Sequence, residues 1–186
     1  MSDNKLAIVI LGEHNSGKSS TFRKLLDMKQ GQRLRDGWKH IIIKGQRVDF
    51  YLINSSPSEK GANKRQKSSL RDILWGIDAP LLVMANQYCE KSAGRGQEYD
   101  PIPTFEHLED LGYTVKILWL NPGQNRHSNA GWKSYRAEPH NRYYDYAGIA
   151  SFCHARGHEV TLANGSQSAE NAVQIKQKLW GWSVQA

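Results

Sequence analysis

Gly12-Glu13-His14-Asn15-Ser16-Gly17-Lys18-Ser19 is the stretch on which the reading of this chain turns. It meets the pattern G-x-x-x-x-G-K-S/T at every fixed position, a match that average residue usage gives by accident roughly 1% of the time in a chain this long. Before it stands Leu6-Ala7-Ile8-Val9-Ile10-Leu11, an unbroken apolar run rich in β-branched residues, as a strand buried on both faces requires. After it, Phe22, Leu25 and Leu26 fall at helical spacing within residues 18–28. A strand, a glycine-bounded turn and a helix therefore follow in order, which is the context the pattern needs.

Residues of these types in this order suit an oxyanion. Gly12 and Gly17 allow backbone conformations closed to other residues, so the N–H groups of Glu13, His14, Asn15 and Ser16 can converge on one anion. The helix opening at Lys18, with Ser19 and Ser20 in its first turn, adds its positive end. Lys18 would reach the β- and γ-phosphate oxygens of a nucleoside triphosphate, and the Ser19 hydroxyl would ligate Mg²⁺. A plain glycine turn capped by Ser19 is the alternative, and the chance-match rate counts against it.

Working outward, residues 40–43 and 48–53 are apolar strands joined by Lys44-Gly45-Gln46-Arg47, the signature of an antiparallel hairpin. Residues 54–62, punctuated by Pro57 and Gly61, read as a loop, 64–75 as a helix and 81–85 as a strand. A polar stretch over 86–103 precedes a helix at 104–111 and a strand at 115–120. A loop over 121–140 leads to a helix at 141–156, which Gly157 ends, then to a strand at 159–162. A last helix at 167–180 carries Ala169, Ala172, Val173 and Leu179 on one side. Alternation of this kind predicts an α/β fold of three layers, its sheet mostly parallel with one antiparallel hairpin strand, and a single domain over residues 1–186.

The phosphate loop and this element order resemble a Ras-like G domain of the P-loop nucleoside triphosphatases over nearly the whole chain. The resemblance implies a D-x-x-G-Q motif after the hairpin's second strand, whose Asp holds Mg²⁺ and whose Gln orients the attacking water. Asn54-Ser55-Ser56-Pro57-Ser58 stands there instead, without the carboxylate and with a proline that cannot donate an N–H. The guanine-reading N-K-x-D is replaced by Asn121-Pro122-Gly123-Gln124, and S-A-K is only echoed by Ala163-Asn164-Gly165. No threonine lies between Met28 and Lys39 to serve a first switch segment. If the strand 81–85 is instead the Walker B strand, Asn86-Gln87 are amides where acids belong. The implied cofactors are ATP or GTP with Mg²⁺, ATP preferred because nothing selects guanine. Mg²⁺ would rest on Ser19, phosphates and water unless Asp49, Asp78 or Glu59 reaches in. Lys18 and Glu59 are the candidate catalytic pair, and hydrolysis is expected to be slow because positioning and charge stabilisation supply most of its rate.

A formal charge of +7 suits an anionic partner but speaks to association rather than fold. Lys60, Lys64, Lys67 and Arg71 share one face if a helix runs that far, either as a solvated face or as a contact for nucleic acid or an acidic protein. The segment 121–146 interleaves Arg126, His127, Trp132, Lys133, Tyr135, Arg136, His140, Arg142, Tyr143, Tyr144 and Tyr146, residues able to stack on bases as well as to pack. Cys153, His154 and His158 raise a metal question, against which Gly157 splits the two histidines and further ligands are missing. Trp119, Trp180 and Trp182 read as core or interface packing. Two cysteines make no disulfide framework, and no apolar run approaches a membrane span, so a cytoplasmic protein with no membrane partner is expected. Three functions fit: a nucleotide-dependent switch or slow NTPase acting on a protein partner or its own copy, a small kinase with a loop-bound acceptor, and a nucleic-acid-associated ATPase subunit.

Overall fold

The computed structural model describes residues 5–12, 16–29, 31–54, 77, 79–86, 100–121 and 147–184. Their strands are β1 (Lys5–Gly12), β2 (Gly37–Ile43), β3 (Gln46–Ile53), β4 (Leu81–Asn86), β5 (Tyr113–Asn121) and β6 (Glu159–Asn164). Their helices are α1 (Lys18–Leu25), α2 (Ile102–Asp110), α3 (Ala147–Ala155) and α4 (Ser168–Ser183). The strands form one six-stranded sheet in the order β2-β3-β4-β1-β5-β6, parallel throughout except for the β2–β3 hairpin.

The apolar run of β1 explains why the sheet is covered twice. Successive side chains of a strand point to opposite faces. Leu6, Ile8 and Ile10 enter one core with Phe22 and Leu25 of α1 and Ala172, Ile175 and Leu179 of α4. Ala7, Val9 and Leu11 enter the other with Phe105 and Leu108 of α2 and Ile149 and Cys153 of α3. All six β1 residues from Leu6 to Leu11 are fully buried. The expected fold class therefore holds as a three-layer α/β fold, its sheet mostly parallel with one antiparallel hairpin strand.

Several boundaries differ from expectation for physical reasons. The hairpin link is two residues rather than four, because Ile43 pairs with Gln46. Lys44 (φ 49°) and Gly45 (φ 79°) are both left-handed, the turn whose twist matches that of the flanking strands. β2 starts at Gly37, ahead of the expected His40, where Gly37 pairs with Leu52. β5 and β6 run on to Asn121 and Asn164 because their mutual ladder continues to that pair. On α4 the buried stripe is Ser168, Asn171, Ala172, Ile175 and Leu179. Ala169 and Val173 lie off it and are exposed, since each is one residue, about 100° of helical turn, beyond a stripe position. α3 ends as Gly157 predicts: Gly157 (φ 69°) donates to His154 O at 3.1 Å and His158 N to Cys153 O at 2.9 Å. The predicted helix at 64–75 and the loop at 121–140 beyond Asn121 lie outside the described residues. Among the described residues no helix is long and apolar enough to cross a membrane.

Candidate functional site

In a largely parallel sheet the ligand crevice opens at the carboxyl ends of the strands. β1 delivers Gly12 to that end, and α1 leaves it at Lys18. Glu13, His14 and Asn15 lie outside the described residues. Gly12 and Ser16, on either side of them, approach closely. A Cβ on Gly12 would stand 2.3 Å from Ser16 Oγ and 3.0 Å from Ser16 Cβ, so position 12 tolerates no side chain without displacing Ser16. Ser16 is 1% exposed, and its Oγ is a buried polar atom that makes no hydrogen bond among the described residues. Gly17 takes φ 102°, a left-handed conformation favouring glycine, and stands at the N-cap of α1. No side chain caps α1, and its first turn holds no acidic residue, so its positive end faces the turn uncompensated by a carboxylate of its own.

Lys18 is 8% exposed, and its Nζ donates to Gly12 O at 2.7 Å, bending the side chain back across the turn. An ammonium this deeply buried is costly unless polar partners hold it, and the Gly12 carbonyl is one such partner. Ser19 is exposed on the outer side of the same turn, and its hydroxyl donates to Asn54 Oδ1 at 3.5 Å. Asn54 follows β3, so the geometry brings together the Ser19 hydroxyl and the Asn54 side-chain amide. Ser20 is half-buried behind it.

The neighbouring strand ends supply more amides. Asn86 closes β4, 1% exposed and in register with Leu11 of β1. Asn121 and Asn164 pair across β5 and β6, so the two expected base-side positions are adjacent. Asn164 Oδ1 accepts from Ser166 N at 2.9 Å, and its carbonyl accepts from Asn171 Nδ2 at 2.9 Å, tying this corner to α4.

Of the three carboxylates considered as able to reach in, Asp49 does not. It lies in β3 five residues before Asn54, about 16 Å back along an extended strand. Arg47 grips it at 2.8 Å and holds its carboxyl below the usual range. Glu59 and Asp78 lie outside the described residues, as do the stripe Lys60, Lys64, Lys67 and Arg71 and the segment 122–146. A carboxylate the sequence reading passed over does stand at this end of the sheet: Asp36 Oδ1 accepts from Asn54 N at 2.9 Å. The signal for it was the register, since Gly37 opposite Leu52 sets position 36 beside the end of β3.

Among the described residues no group of three His, Cys, Asp or Glu side chains is placed to hold an ion. Burial pushes the Cys153 thiol up to about 11, and the residue is fully buried. The His158 ring packs on Phe105 and Phe152, with Nε2 3.4 Å from Glu109 Oε1. Trp119 is buried, and Trp180 and Trp182 pack half-buried against the core. A hollow of about 390 Å³ opens away from the turn, between β5, β6 and α4, lined by Lys116, Thr161, Lys178 and Trp182 among others.

No family model matches the chain, and no curated protein matches it. Among solved structures it is similar to the FeoB G-domain from Methanococcus jannaschii, at 14% identity over 95% of this chain and 96% of that one, with a TM-score of 0.49. It is also similar to a de novo designed P-loop 2x3 fold protein studied by solution NMR, at 7% identity over 95% of each chain, with a TM-score of 0.46.

Proposed function

We propose that this chain binds a nucleoside triphosphate with Mg²⁺ at residues 12–20 and acts as a nucleotide-dependent switch or slow NTPase. The observation that carries the reading is Lys18: a buried ammonium bent across a turn whose Gly12 admits no side chain and whose Gly17 is left-handed. The backbone N–H groups from Glu13 to Ser19, with Ser20 behind them, would receive the phosphate oxygens, and the α1 N-terminus would favour their charge. Lys18 would exchange its Gly12 contact for β- and γ-oxygens. The donor set beside Ser19, a hydroxyl and an amide oxygen, is the hard-oxygen chemistry that Mg²⁺ accepts. When bound, that ion would neutralise charge developing on the transferred phosphoryl group.

Hydrolysis is slow on this reading because the strand ends beside the turn carry Asn54 and Asn86 where a carboxylate would organise the metal and water. ATP is preferred over GTP, since Asn121-Pro122-Gly123-Gln124 lacks the Lys and Asp of the guanine reader. Calorimetric titration with ATP and GTP, paired with phosphate release, tests this. The expected outcome is saturable ATP binding with unaided turnover on the order of 10⁻³ s⁻¹ or less. Turnover near 1 s⁻¹ or above, as kinases show toward their acceptors, would contradict the slow-switch reading.

A further inference from the structure

The geometry points to Asp36 as the residue that supplies the negative charge of the Mg²⁺ site, through Asn54, in place of an acid on β3. Asp36 comes from the segment that leads into β2, Asn54 from the end of β3 and Ser19 from the first turn of α1. Three elements far apart in sequence are thus linked in one run: Ser19 Oγ to Asn54 Oδ1 at 3.5 Å, and Asn54 N to Asp36 Oδ1 at 2.9 Å. The orphaned Ser16 Oγ and the bent Lys18 lie beside Ser19 in sequence, so the run borders the turn proposed above to receive the phosphates.

An acid here solves a specific problem. A neutral donor set of serine and asparagine leaves a divalent cation to be balanced by phosphates alone. Mg²⁺ keeps several waters and is commonly held by one or two carboxylates acting directly or through those waters. The Asn54 N–H anchors the Asp36 carboxylate at the end of β3, on the side of the sheet where Asn54 meets Ser19. The hydrogen bond also fixes the Asn54 backbone, and with it the direction in which Asn54 Oδ1 meets Ser19. Asp36 is therefore a positioning residue that brings charge to the site from the strand-leading segment. Asp49, the acid within β3, is committed to Arg47 and does not compete for this role.

This inference rests on the triphosphate reading, and the test separates the two. Mn²⁺ affinity of the nucleotide-bound protein is read by electron paramagnetic resonance, and nucleotide affinity is measured separately in EDTA. Asp36→Asn keeps an oxygen for the Asn54 N–H while removing the charge. It is expected to weaken Mn²⁺ by about 10-fold or more, the cost typical of losing an outer partner of a metal site, with nucleotide affinity in EDTA unchanged. Adding Asn54→Asp to that variant returns a carboxylate beside Ser19 and restores Mn²⁺ affinity. Unchanged Mn²⁺ affinity in Asp36→Asn would overturn the assignment of Asp36, as would an equal loss of nucleotide affinity in EDTA. Absence of nucleotide binding by the unaltered protein would instead remove the underlying reading.

Discussion

At the scale of single residues, the site is defined by what position 12 lacks. Ser16 occupies the space a Gly12 side chain would need. Gly12→Ala is therefore expected to destabilise the fold by about 1–3 kcal/mol, the usual cost of overpacking. Ser16→Gly in the same chain removes both clashing atoms and should recover most of that loss in urea unfolding. No recovery would show that the clash is not the cause. These glycines were legible because the pattern fixes residue types whose conformations only glycine supplies. Asp36 was not legible, because its place depends on which residue of β2 pairs with Leu52, and apolar patterning started that strand three residues late. Asp49 misled for the converse reason: composition counts an acid without revealing that Arg47 already holds it. Cys153 offers a further check: with its thiol pushed up to about 11 by burial, it should resist alkylation at neutral pH in the native protein. Mass spectrometry after iodoacetamide treatment reads this, and modification of Cys153 without unfolding would contradict its burial.

At the scale of elements, the turn depends on α1, and α1 rests on α4. Phe22 and Leu25 share a core with Ile175 and Leu179, all fully buried. Ile175→Ala is expected to cost about 2–5 kcal/mol by leaving a cavity under α1. Val173→Ala, at a position 51% exposed, should stay within about 0.5 kcal/mol. Denaturant midpoints of the two variants check the phase of the helix, and equal effects would mean the stripe is misassigned. β1, the hairpin and α3 with its glycine stop were legible, because unbroken apolar runs and a C-terminal glycine have direct physical readings. The stripe of α4 was half legible. Its buried members include Ser168 and Asn171, polar residues that a search for apolar periodicity skips, while Asn171 Nδ2 is satisfied by Asn164 O.

At the scale of the molecule, sequence order did not give spatial order. β4 lies between β3 and β1, yet Asn54 still reaches Ser19. The same scale carries the pH response. Desolvation holds the His158 pKa below the ordinary histidine value, with Arg156 acting the same way and Glu109 opposing. The unfolded chain then binds that proton more readily. His158 thus contributes stability that is full above about pH 6.5 and is lost as pH falls through and below it. Glu159 is held down by Lys116 at 2.8 Å and by Lys178, so its contribution is present above about pH 4.3 and is lost below. Unfolding free energy measured from pH 8 to 3 should fall in these two windows, and His158→Gln should flatten only the upper one. A stability that rises on acidification from pH 7 to 5 would contradict the sign. The central claim meets its most direct test in triphosphate titration of the unaltered chain and of Lys18→Ala, both shown folded by circular dichroism. Saturable binding by the unaltered chain, lost in the variant, is expected; triphosphate binding left intact by Lys18→Ala would contradict phosphate binding through Lys18.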